Sequence, residues 1–123
     1  MIDRIGDSLR FQAQALELRS QRQSLIASNI ANADTPGYRA VDADFASALK
    51  RVTSADPASK SATQPMLQAN EIRTLAPAEE SADGNGVDMD VQRANFAENA
   101  VRYEAALRAL NQQVKSLITV ITG

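Results

Sequence analysis

The sequence predicts an all-α fold: two long terminal helices pairing as a coiled-coil-like hairpin, joined by a weakly structured middle segment. Three observations lead there. Of 123 residues, 22 are Ala, the strongest helix former, and only five are aromatic. Near both chain ends, apolar residues recur at alternating steps of three and four. Between those stretches, Pro57, Pro65 and Pro77 fall among Ser, Ala, Thr and Glu, a composition that buries little apolar surface.

Residues 1–52 form the first segment. Ile2, Ile5, Leu9, Gln12, Leu16, Arg19, Gln23, Ile26 and Ile30 make one helical stripe. The stripe predicts a helix ending near Asn32, roughly 40–45 Å long at 1.5 Å per residue. A second stripe, Phe11, Leu18 and Leu25 with Ala15 between, lies on roughly the opposite side. A surface helix ordinarily has one apolar face. With only one other long helix in the chain, the second face predicts cover from a neighbouring subunit. After the helix, Asn29, Asn32, Thr35, Pro36, Gly37 and Tyr38 belong to a stop-and-turn sequence. Asn tolerates the left-handed conformation that ends helices, and Pro followed by Gly suits the centre of a type II turn. A short helix should follow, with Asp42 or Asp44 as N-cap and Phe45, Leu49 and Val52 on one face.

Residues 53–86 form an irregular linker or small outer segment. Met66, Leu67, Ile72 and Leu75 are its large apolar residues, so 66–75 is the candidate for a short strand or hairpin. Asp83-Gly84-Asn85-Gly86 closes the segment as a turn. Residues 87–123 carry the clearest pattern. Phe96, Ala100, Tyr103, Leu107, Leu110, Val114, Leu117 and Ile121 make an a/d seam of four heptads. Asp88 and Asp90 precede it, where carboxylates suit a helix N-terminus. The predicted helix, from about 88 to 121, packs with the first helix through Ile2, Ile5, Leu9, Leu16, Ile26 and Ile30.

Composition excludes much chemistry. The chain has no Cys, no His and no Trp, so thiolate metal sites, disulfides and imidazole-based catalysis cannot be written. No cofactor is expected, nor a small-molecule substrate. Asp83 to Asp88 begins like a calcium loop, but Val87 stands at the fifth position, Asp88 where Gly is required and Ala94 where Glu is required. The pairs Asp42/Asp44 and Asp88/Asp90 read as helix caps rather than as acid–base dyads, because no pocket accompanies them. Thirteen basic residues against fifteen acidic, mixed along the chain, argue against nucleic acid as a ligand. The N-terminus lacks the apolar stretch of a cleaved signal peptide. A cytoplasmic protein, or one exported without a cleaved signal, is the expectation.

Ser28-Asn29-Ile30-Ala31-Asn32-Ala33-Asp34-Thr35-Pro36-Gly37-Tyr38-Arg39, placed after a long N-terminal helix, resembles the signature of the bacterial flagellar rod and hook axial proteins. Asp42-Ala43-Asp44-Phe45, Gly84-Asn85-Gly86-Val87-Asp88-Met89-Asp90, Ala97-Glu98-Asn99, Arg102-Tyr103 and Ile121-Thr122-Gly123 are similar to the proximal-rod members of that family. The likeness covers both ends and is weak over 53–82. It implies a structural subunit of the rod, the drive shaft that carries torque from motor ring to hook. It also implies export by the flagellar type III apparatus, and terminal helices that form a core domain in the assembled tube. Its partners would be copies of itself, other rod subunits, the adaptor FliE, the ring protein FliF and the export gate. The rival readings are a soluble helical adaptor or export chaperone of a secretion system, or a different rod subunit.

Overall fold

The computed structural model describes residues 2–54, 66–75 and 87–123, with side chains from Arg4 onward in the first stretch. Helix α1 (Ile2–Ala31) leads through the turn to strand β1 (Val41–Ala43) and helix α2 (Phe45–Ser54). A 3-10 turn (Ala69–Glu71) runs into strand β2 (Ile72–Thr74), and helix α3 (Met89–Thr122) closes the chain. The fold is predominantly helical, with two long terminal helices of about 45 and 51 Å.

The helix ends obey local chemistry. Asp88 caps α3, its carboxylate accepting from the Asp90 and Val91 amides at 3.1 and 3.2 Å. Asp44 caps α2, accepting from the Ser47 amide at 3.2 Å and the Ser47 hydroxyl at 2.8 Å. These bonds hold the Asp44 carboxyl below its usual pKa, the backbone amide contributing most. Residues 55–65 and 76–86, including the Asp83–Gly86 turn, lie outside the described residues.

Helices α1 and α3 pack antiparallel. Asn29 bonds Gln92, Gln23 bonds Asn99 and Ser8 bonds Gln113, so numbers fall along one helix as they rise along the other. Helix α2 lies on another side of α1, where Leu18, Ala48 and Val52 form a buried cluster flanked by Phe45, Leu49 and Leu67. Strand β2 pairs antiparallel with β1, Val41 opposite Thr74 and Ala43 opposite Ile72. Part of the middle segment therefore returns to the N-terminal segment. A second cluster of Ala33, Ala40 and Val87, with Tyr38, Leu75 and Met89 against it, seals the end of the hairpin.

Two expectations need correction. The stripe assigned to a neighbouring subunit is not left for one at its centre: Leu18 is fully buried, under α2 of its own chain. Leu25 is half-buried and Phe11 is exposed. A ten-residue helix sufficed as cover; a second long helix was not required. The α1–α3 seam also differs from the apolar one expected. Leu16 and Ile26 are buried, while Ile5, Leu9, Ile30, Leu110 and Leu117 are half-buried. Yet Phe96, Tyr103, Leu107 and Val114 remain 37–39% exposed and Ile121 is 81% exposed. Gln92 and Asn99 are buried instead, with Gln113 beside them half-buried. The reason lies in α1, whose stripe contains Gln12, Arg19 and Gln23. Amides there need partners, so α3 turns its amide-bearing column inward. Leu107, eight positions after Asn99, then sits about 80° around the helix. Ile2 opens α1, but its side chain is outside the described residues.

Candidate assembly site

The turn sequence is organised around one side chain. Asn29 is fully buried, and its amide joins three parts of the fold. Nδ2 donates to the Val41 carbonyl at 2.7 Å and to Gln92 Oε1 at 2.9 Å. Oδ1 accepts from the Val41 amide and the Tyr38 hydroxyl, both at 3.0 Å. All four hydrogen-bonding sites of the Asn side chain are used. One residue thus fixes α1, the turn, β1 and the start of α3 relative to each other.

The outer half of the turn is built by Asn32, which donates from its side chain to the Ser28 carbonyl at 2.9 Å and accepts the Thr35 hydroxyl at 3.3 Å. The Tyr38 amide then donates to the Thr35 carbonyl at 3.2 Å, and Gly37 has φ +76°. With Pro36 before it, Gly37 completes a type II turn. A Cβ at Gly37 would meet nothing within 4 Å, so only backbone strain opposes substitution. Gly37→Val should cost about 1–3 kcal/mol, and Gly37→Asn much less, because Asn tolerates positive φ. Thermal denaturation of the two variants checks this; equal losses would dismiss the turn geometry as the cause.

Two arginine clamps hold the small sheet. Arg22 on α1 grips Asp42 of β1 with Nε and Nη2, at 3.0 and 3.1 Å. That bond raises the Arg22 pKa against the opposing effect of burial. Arg51 on α2 grips Glu71 at 2.9 and 3.0 Å and also donates to the Met66 carbonyl at 2.7 Å. The Glu71 side chain is only 5% exposed. The Arg51 hydrogen bonds outweigh desolvation and hold its carboxyl below the ordinary 4.5. A depressed carboxylate stabilises the fold above its unfolded pKa, and this contribution fades as pH falls below it. Amides of β2 should therefore lose exchange protection as pH drops below about 4.5. Glu71→Gln should flatten that dependence. An unchanged acid profile in this variant would exclude the clamp as its source. Arg19, beside the clamps, lies 4.2 Å from the Phe45 ring centroid. Burial, then Arg102 and Arg22, lower its pKa.

The α1–α3 seam contains a ladder of amides. Asn99 Nδ2 donates to the Arg19 carbonyl at 3.0 Å and to Gln23 Oε1 at 2.8 Å. Gln113 donates to the Ser8 hydroxyl at 3.0 Å. Among the described residues, three buried acceptors have no protein partner: Gln12 Oε1, Asn99 Oδ1 and Gln113 Oε1. Each such atom weakens a seam by about 1–3 kcal/mol unless water reaches it. The polar positions on α3 were missed by the apolar pattern. Their signal was present in the spacing: Gln92, Asn99 and Gln113 fall on one seven-residue column, with Ala106 completing it. Outside the seam, Phe96, Tyr103, Leu107, Val114 and Ile121 form an exposed apolar band, joined by Ile118 at 54%. A groove of about 240 Å³, lined by Ser20, Gln23, Ala100 and Tyr103, runs beside it.

Comparison with known proteins agrees in kind. Residues 9–39, α1 and the turn, match the family described as Flagella basal body rod protein. Over nearly the whole chain, the sequence is 45% identical to the flagellar basal body rod protein FlgB of Escherichia coli K12, covering 98% of this chain and 97% of that one. The chain belongs to the FlgB family. The likeness extends to FlgB of Salmonella typhimurium LT2, 41% identical over 100% of this chain and 99% of the relative. FlgB of Cereibacter sphaeroides is 40% identical over 95% of each. These alignments run from one end of the chain to the other.

Proposed function

We propose that this chain works by assembly, its terminal helices supplying one share of a core that several subunits complete. As a member of the FlgB family it is a structural subunit of the flagellar basal body rod. The observation that carries the mechanism is the apolar band on α3. From Phe96 to Ile121 it extends about 38 Å, and its large side chains stay more than a third exposed. An apolar surface of that length marks a site of protein contact. Neighbouring subunits pack on it, and torque passes from motor ring to hook through many such contacts. Other rod components are its partners; at the proximal end these include the adaptor FliE, the ring protein FliF and the export gate. The chain reaches the periplasmic section of the basal body through the flagellar export apparatus, without a cleaved signal.

Two experiments test this. The protein should leave the cytoplasm only when flagellar export is active, and should co-purify with basal bodies; retention in the cytoplasm would favour the adaptor reading. Leu107→Asp should leave the isolated chain helical, since Leu107 stands outside the intramolecular seam, but should abolish rod incorporation by placing an unpaired charge in a buried contact. Normal basal bodies with this variant would remove the α3 band from the interface.

A further inference from the structure

We infer that the amides between α1 and α3 set the register of the hairpin, the heptad-spaced apolar residues being unable to do so; this rests on assembly through the terminal helices. The apolar contacts repeat every seven residues. On α3, Leu110 and Leu117 of the seam continue the column of Phe96 and Tyr103 at its exposed edge, and on α1 Leu9, Leu16 and Ile30 form another. Sliding one helix past the other by seven residues would keep the same columns face to face, because both repeat at that spacing. Heptad patterns are silent on such slips, and single polar core residues decide them at a cost in stability.

The polar pairs are not periodic in that way. Asn29 meets Gln92, Gln23 meets Asn99 and Ser8 meets Gln113, a residue-number sum of 121 or 122 each time. At the fourth level of the column the sum places Ala106 opposite Ala15 and Leu16, where no polar bond is available. A seven-residue slip in one direction sets Gln113 against Ala15. The opposite slip sets Asn99 there. Either way an amide that now has a partner is buried against a methyl group. Only the observed register pairs all three, even though it leaves acceptors on Gln12, Asn99 and Gln113 unmatched. Register then fixes which α3 residues stand beside Phe11 and Ser20 on the outer surface that meets other subunits.

The absence of Cys in this chain makes the test clean. Ser8→Cys with Gln113→Cys reads the observed register by disulfide formation; Ala15→Cys with Gln113→Cys reads the slipped one. Each pair is oxidised in the full-length protein with and without Gln23→Leu, Gln92→Leu and Asn99→Leu. The expected result is a slipped-pair yield that rises at least several-fold in the Leu variant, approaching the native-pair yield. Without the cysteines, the same Leu variant should melt no lower than the parent chain, and rod assembly should fall. A slipped-pair yield that stays at its trace level would overturn the inference. So would a Leu variant that melts lower and forms neither disulfide, since the amides would then supply stability rather than register. Mixed registers combined with normal rods would support the register assignment while counting against assembly through the helical core.

Discussion

Asn29→Asp is expected to lose about 4 kcal/mol or more, enough to release β1 and the turn from the hairpin. The substitution preserves shape and changes one group. Where Nδ2 donates to the Val41 carbonyl and Gln92 Oε1, a carboxylate oxygen would face two acceptors. Full burial leaves the charge no water. Tyr38→Phe, which removes one of the four bonds, should cost only about 1 kcal/mol. Hydrogen exchange at Val41 and Ala43, with thermal denaturation of both variants, measures the pair. If Asn29→Asp proves no worse than Tyr38→Phe, the Asn29 network is not what holds the turn to the hairpin. Motility should follow stability, because the outer surface of a subunit depends on where the turn sends the chain.

Leu18→Ala carries the other large effect, about 3–4 kcal/mol for a fully buried leucine. The loss should be local. Leu18 packs on Ala48 and Val52 of α2, with Phe45, Leu49 and Leu67 around them, whereas α3 meets α1 along a different side. Amides of α2 and β2 should therefore lose protection while those of α3 keep it. This outcome separates the intramolecular role found here from the inter-subunit role that the second stripe suggested. Unchanged α2 protection together with failed rod assembly would restore the latter.

The residues best read in advance were those whose conformation depends on near neighbours. Asp88 and Asp44 cap helices through amides two or three positions away, and Pro36-Gly37 makes its turn within four residues. Long stripes announced α1 and α3 for the same reason, since helical hydrogen bonds join residues four apart. The turn sequence was visible as a motif, but its centre was not. Asn29 acts on Val41 and on Gln92, 63 positions further on, and nothing local distinguishes it from a helix-ending Asn. Arg51 and Glu71 were equally hidden, being twenty residues apart across a Pro-rich stretch.

By itself, then, the sequence determined two long helices, their caps, the tight turn between α1 and β1, and a surplus of apolar faces over the elements available to cover them. Tertiary structure decided which face met which. A helical stripe states that a side is apolar without naming its cover, so only packing could assign Leu18 to α2. The strands are three residues each; Ile72 and Thr74 suit an extended chain, which is why 66–75 was the candidate for a strand, but only the meeting of 41–43 with 72–74 completes the pair. The rotation of α3 was settled by the amides of α1: a buried amide without a partner costs more than an apolar side chain left half in water. That balance turned Gln92 and Asn99 inward, and left the α3 apolar band facing outward.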